Sequence, residues 1–90
     1  MAKAVVDPEH LKRFAANLRH FTGDLREQSQ NLHLQFTRLG DTWRDQEQAK
    51  FADEFMQMLA ALERFAASAE AQVPVLQRKA TAIEQYLRNR

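Results

Sequence analysis

Ninety residues with no cysteine and a net charge of only +1 exclude a disulfide scaffold and a thiolate metal site, and argue against a strongly basic nucleic-acid binder. Two glycines and two prolines are too few for a strand-and-turn architecture, and a chain dominated by Ala, Leu, Glu, Gln, Arg and Lys has a helical composition. No stretch approaches the roughly 20 apolar residues of a membrane span, and the N-terminus has no apolar signal-peptide core. The expected site of synthesis is therefore the cytoplasm, with export that needs no cleavable signal peptide left open.

The first element starts at Asp7-Pro8. Aspartate caps free amides, and proline is favoured at the first helical position. Apolar residues then fall at Leu11, Phe14, Leu18, Phe21, Leu25, Leu32 and Leu39, in steps of three and four, with Gln28 and Gln35 filling two gaps. This is a heptad seam. Ala15, Ser29 and Phe36 widen it, and Gly23 is its one weak link. A helix is predicted over about residues 8–39.

Gly40 is a natural stop, and residues 40–42 form the predicted turn. Thr42-Trp43-Arg44-Asp45 fits a capping box, with Asp41 as the rival cap. The only tryptophan stands at this elbow. Two roles are open to it: closing the end of a hairpin, or anchoring a partner.

A second helix is predicted from about 43 towards 88. Its seam is Phe51, Phe55, Met58, Leu62, Phe65, Ala69, Val73, Leu76, Ala80, Ile83 and Leu87, with Leu59 and Ala66 beside it and Met56 off it. Pro74 cannot donate to the helical ladder, so a kink or break is expected near it. At 1.5 Å per residue, residues 8–39 reach about 48 Å and residues 43–73 about 46 Å. On this count the two arms draw level near Pro74, and residues 74–90 either project past the hairpin or fold over its end.

The fold class read from these patterns is all-α: one domain, an antiparallel two-helix hairpin. Its apolar stripes are about three positions per heptad wide, more than a lone pair of helices can cover. Dimerisation into a four-helix bundle is therefore expected, with a second copy or a homologous chain. Charge is uneven: +2 over residues 1–39, −4 over 40–73 and +3 over 74–90. Segments of opposite sign suit antiparallel neighbours.

Little in the sequence points to chemistry. His10, His20 and His33 are too far apart for a shared metal site, and no Glu-x-x-His motif occurs. Asp41, Asp45, Glu47, Asp53 and Glu54 crowd a helix start, where the helix dipole favours negative charge. Ser29 and Ser68 have no suitably spaced base, and no glycine-rich phosphate loop occurs. No catalytic residue, cofactor, metal or small-molecule ligand is expected. The reading is a non-enzymatic protein–protein interaction module. Two alternatives stand: a structural or secretion-apparatus helical subunit, and a small nucleic-acid-associated helical protein.

With two long helices, a length near one hundred and a tryptophan at the central turn, the chain resembles the WXG family of small helical hairpins, the ESAT-like substrates of type VII secretion. Leu39, four residues before Trp43, and Phe51, eight after it, fall where that family has apolar and aromatic residues. Two positions depart from the pattern. The glycine of Trp-x-Gly is Asp45 here, with Gly40 before the tryptophan instead. Tyr86 is followed by Leu87-Arg88-Asn89-Arg90, so the acidic residue of a Tyr-x-x-x-Asp/Glu export signal is Arg90. The resemblance implies a divergent member that pairs with itself or a homologous chain, and further partners in a secretion ATPase or an exported effector. If the family's export logic applies, Trp43 belongs to the surface that receives a partner's C-terminal tail.

Overall fold

A computed structural model describes residues 6–89. Lys3 and Arg90, which enter the charge pattern and, for Arg90, the export-signal comparison, lie outside them. Two helices make up the described fold: α1, Pro8–Leu39, and α2, Gln46–Arg88. They fold back on one another as an antiparallel hairpin. The rod measures 68 × 24 × 15 Å, with a radius of gyration of 20.2 Å. A globule of this length would have a radius of gyration of about 12 Å. At 15 Å the hairpin is one helix thick, so neither helix has a second layer to pack against.

Local chemistry sets the start of α1. The Asp7 carboxylate accepts from the Glu9 amide at 2.9 Å, and Pro8 opens the helix, as a cap and a preset φ require. At its other end α1 stops at Gly40, whose φ of −61° is right-handed. Glycine is therefore not needed there for a left-handed turn. What it avoids is a tight contact, because a Cβ at Gly40 would lie 3.2 Å from the Thr37 carbonyl oxygen.

α2 begins three residues later than the expected start at 43. The amides of Asp41, Thr42 and Trp43 donate back to the Arg38 and Leu39 carbonyls, and Arg44 Nε donates to the Gly40 carbonyl at 2.9 Å. Residues 41–44 thus finish α1 and leave nothing free to start α2. The Thr42–Asp45 capping box does not form. Asp45 is itself the cap, with extended backbone and its carboxylate accepting from the Gln48 amide at 2.9 Å.

α2 runs through Pro74 without a break. Val73 and Ala80, on either side of the proline, are both buried, so the helix packs on α1 across that point. Lys12 still meets Glu84 at 2.7 Å, and residues 74–88 continue α2 alongside α1. The arms therefore do not draw level at Pro74. The elbow uses residues 40–45, which shifts the register of α2 towards its C-terminus.

The line where the helices touch is made of small residues. Among the described residues Ala15, Thr22, Ala66, Val73 and Ala80 are the buried ones, and within each helix they repeat every seven positions. Small side chains let helix axes approach closely. Thr22 is the polar member, and its hydroxyl donates to the Arg19 carbonyl at 2.9 Å, so burial leaves no donor unpaired. Leu11, Leu18, Leu25, Phe36, Phe55, Leu59, Leu62, Leu76 and Ile83 flank this line half-buried.

Candidate interaction surface

The seam expected from sequence divides into two lines. Leu11, Leu18, Leu25, Phe36, Phe55 and Leu62 lie along the helix–helix contact. Phe14, Phe21, Leu32, Leu39, Phe51, Met58 and Phe65 remain exposed. Phe14 keeps 58 % of its surface and Phe65 keeps 50 %. The cause is angular, because at about 100° per residue Phe14 and Phe65 stand about 100° round their helices from the buried Ala15 and Ala66. Ala66, placed beside the seam on periodicity, lies on the contact itself, and Leu59 flanks it half-buried.

The exposed set shares one flank of the hairpin. At about 100° per residue, Phe14, Phe21, Leu32 and Leu39 lie within about 20° of one another around α1. Around α2, Phe51, Met58 and Phe65 lie within about 40°. Phe21 and Phe65 join the two sets edge to face, ring centres 6.3 Å apart. The result is a stripe of large apolar side chains along the rod. Single exposed apolar residues are ordinary, but a continuous stripe marks an interaction surface.

The opposite flank is closed by charge. Arg26 reaches from α1 to Glu63, with Nε and Nη2 donating at 3.0 and 2.8 Å, and also donates to Glu70. Nearer the termini Lys12 donates to Glu84 at 2.7 Å. The hydrogen bond from Arg26 holds the Glu63 carboxyl below its ordinary range, and Lys12 does the same for Glu84. Those bonds raise Arg26 and Lys12 in turn. Under the Arg26 bridge lies a groove of about 180 Å³ between Leu25, Ser29, His33, Leu59 and Leu62. That is below the roughly 300–1,000 Å³ of ordinary ligand pockets.

The elbow carries an aromatic cluster. Phe36 sits 5.6 Å from Phe51 and 5.1 Å from Phe55, and Phe51 stacks on Phe55 at 5.7 Å. Trp43, half-buried, covers the end of the cluster 6.1 Å from Phe51. Each such pair adds about 0.5–1.5 kcal/mol beyond burial. Trp43 therefore closes the end of the hairpin while part of its surface stays accessible. Gly40 and Asp45, the two other elbow residues singled out from sequence, act on either side of it as the stop of α1 and the cap of α2.

His10, His20 and His33 are all exposed. Among the described residues no group of three His, Cys, Asp or Glu side chains could hold a metal ion, and no helix is long and apolar enough to cross a membrane. What periodicity missed is the buried role of Thr22, a polar residue at a contact position. Its seven-residue spacing from Ala15 was the available signal.

This geometry is shared with solved proteins. The chain aligns over 96 % of its length with 98 % of a secreted protein, EsxB, from Bacillus anthracis strain Sterne, at 29 % identity and a TM-score of 0.78. A point mutant of the same secreted protein aligns at 30 % identity over 94 % of this chain and 96 % of that one, with a TM-score of 0.81. No curated protein matches the chain. The family WXG100, described as proteins of 100 residues with WXG, matches residues 4–86. Asp45 in place of the motif's glycine fits that match, since the position has φ −90° and serves as a helix cap, which aspartate fills well. A helical hairpin with a tryptophan elbow, built for protein–protein interaction, this chain belongs to the WXG100 family.

Proposed function

We propose that the chain is one half of a four-helix bundle, and that it works by docking a second WXG-type hairpin, either its own copy or a homologous chain, rather than by catalysis. The observation that carries this reading is the one-sided stripe of Phe14, Phe21, Leu32, Leu39, Phe51, Met58 and Phe65. Seven large apolar side chains along one flank of a rod only 15 Å thick have no intramolecular partner layer. Full burial of each would contribute about 1.5–3 kcal/mol. Members of the family typically form dimers, and a facing hairpin is the shape that covers such a flank.

Export is the second part of the proposal. The EsxB structures are described as those of a secreted protein, and the match to them covers nearly the whole chain. On that basis the paired hairpins are cargo of, or an adaptor for, a type VII secretion system, released without a cleavable signal peptide. The accessible part of Trp43 is where the apparatus or a tail segment docks.

Light scattering on the purified chain, alone and mixed with a homologous hairpin from the same cells, tests the first part. A complex of twice the hairpin mass is expected in at least one case. A stable, folded monomer at micromolar concentration that ignores both would overturn it. Comparing culture supernatant and cell lysate by immunoblot, with and without the secretion ATPase, tests the second. Retention in the cell under both conditions would overturn export of the chain as cargo.

A further inference from the structure

The large residues of the open flank carry a single sulfur. Phe14, Phe21, Leu32, Leu39, Phe51 and Phe65 are hydrocarbon side chains, and Met58 is a thioether. The chain has no cysteine, so methionine is the most readily oxidised sulfur it can offer. Met58 stands at the centre of the α2 part of the stripe. Phe51 and Phe65 lie seven residues before and after it, each within about 20° of it around the helix. Phe36 packs on Phe55 at 5.1 Å, and counting four residues back along α1 and four forward along α2 brings Leu32 level with Leu59, next to Met58. Large apolar residues therefore surround the sulfur on both helices.

A second methionine on α2 supplies the comparison. Met56 is 47 % exposed and Met58 49 %, so an oxidant in solution reaches both to the same degree. The two are separated by about 200° of helical rotation, which sets Met56 on the far side of α2 from Phe51 and Phe65. The sulfurs have like access and unlike surroundings.

We propose that Met58 is an oxidative modification site through which a hydroperoxide governs docking at the open flank. In the unpaired hairpin the Met58 sulfur lone pair attacks one oxygen of hydrogen peroxide. The O–O bond breaks as the S–O bond forms, and the departing hydroxide takes the proton of the transferred hydroxyl and leaves as water. The sulfur gives up two electrons and the peroxide gains them. The product is a sulfoxide, a polar group where a flexible apolar side chain stood. Pressed against phenylalanine and leucine, its oxygen finds no donor, and burial without one is costly. Oxidation of Met56 leaves the flank as it was. A hairpin that covers the flank also covers Met58, so the paired chain is protected and the oxidised chain is kept from pairing. This rests on the reading that the stripe docks a second hairpin, and adds a condition under which it does so.

Hydrogen peroxide treatment of the full chain tests this, with Met56→Leu and Met58→Leu as matched variants. Met1 is common to both, so its oxidation cancels. Peptide mass spectrometry follows sulfoxide at each position. Analytical ultracentrifugation measures pairing with whichever hairpin the untreated chain binds, a homologous hairpin being left unoxidised. Full oxidation should weaken pairing of Met56→Leu about tenfold in Kd and leave that of Met58→Leu unchanged, with helicity retained in both by circular dichroism. In the untreated wild-type pair, added peroxide should convert Met58 several-fold more slowly than Met56. Undiminished pairing of oxidised Met56→Leu, an equal loss in both variants, or equal rates at the two sulfurs in the pair would overturn the assignment while leaving docking intact. Loss of helicity on oxidation would place the effect in folding and would also overturn it. An untreated chain that pairs with neither its own copy nor a homologous hairpin would overturn the docking reading and this proposal with it.

Discussion

The two flanks of the helix–helix seam are built from the same two helices but finished differently. On one, Arg26, Glu63, Glu70, Lys12 and Glu84 pair with each other across the seam, so its polar groups are satisfied within one chain and face water. On the other, phenylalanine, leucine and methionine stand half-exposed with no layer over them. The contrast shows that this hairpin pairs the charges of one flank within a single chain and leaves the hydrophobic burial of the other incomplete. Exposed ion pairs contribute little to stability, so the charged flank sets register and the apolar flank supplies most of the stabilisation.

The largest effect expected from breaking this arrangement is at the residues between the flanks. Leu62→Ala removes a side chain that lies against both the partner helix and the open stripe. It should cost about 2–5 kcal/mol in urea unfolding. A cost below about 0.5 kcal/mol would show that the seam is misplaced. Next comes the apolar flank itself. Phe65→Gln should leave helicity intact in circular dichroism but cost on the order of 1.5–3 kcal/mol of association, about tenfold or more in Kd. Its thermal midpoint should also lose some of its dependence on protein concentration. Unchanged association would mean that the stripe is not the interface.

The close line of small residues sharpens the comparison from inside. Ala66→Leu should push the helices apart and destabilise by about 1–3 kcal/mol. A neutral result would mean that the helices are not held at alanine distance. At the elbow, Trp43→Ala removes the contact with Phe51 and should cost about 0.5–1.5 kcal/mol from that aromatic pair. Helices and dimer should persist. Collapse of both would make Trp43 a core residue and end its role as an accessible anchor.

The charged flank should respond least. Arg26→Gln should leave fold and dimer in place, and its signature is in the pH dependence. Arg26 holds the folded-state pKa of Glu63 below its ordinary value. The linked stabilisation is therefore complete above the ordinary carboxylate range and is lost as the pH falls through the depressed value. The wild-type chain should lose slightly more stability on acidification than Arg26→Gln does. Identical acid limbs in the two unfolding profiles would show that the bridge contributes nothing.

Much of the architecture was legible in the residues. The start of α1 at Asp7-Pro8 and the halt at Gly40 are local chemistry, and both appear where the caps and stops require. The hairpin followed from two long periodic runs around one elbow. Two features were misread, one because a competing local hydrogen bond wins and one because packing against the other helix overrides a local signal. Thr42 matched a capping box, but its amide was already used by the Leu39 carbonyl, and the cap passed to Asp45. Pro74 carried a helix-breaking signal, but Val73 and Ala80 are buried against α1 on either side of it, and the helix continues.

The interaction surface was only half legible. Periodicity identified every large residue of the stripe, but it could not separate those facing α1 or α2 from those facing outward. Leu18 and Phe21, or Leu62 and Phe65, are three positions apart and look equivalent in a heptad count. Which of them is covered depends on how closely the helices approach. That distance is set by Ala15, Thr22, Ala66, Val73 and Ala80 together, and no one of them reveals it alone.

Composition and spacing thus determined, without any coordinates, that this chain forms two long helices joined by a tryptophan-bearing elbow, because caps, stops and heptads act between residues near in sequence. Only the tertiary structure decided which edge of each helix is sealed and which is left open. That choice depends on contacts between residues such as Arg26 and Glu63, or Phe21 and Phe65, which lie far apart along the chain and meet only when the hairpin closes.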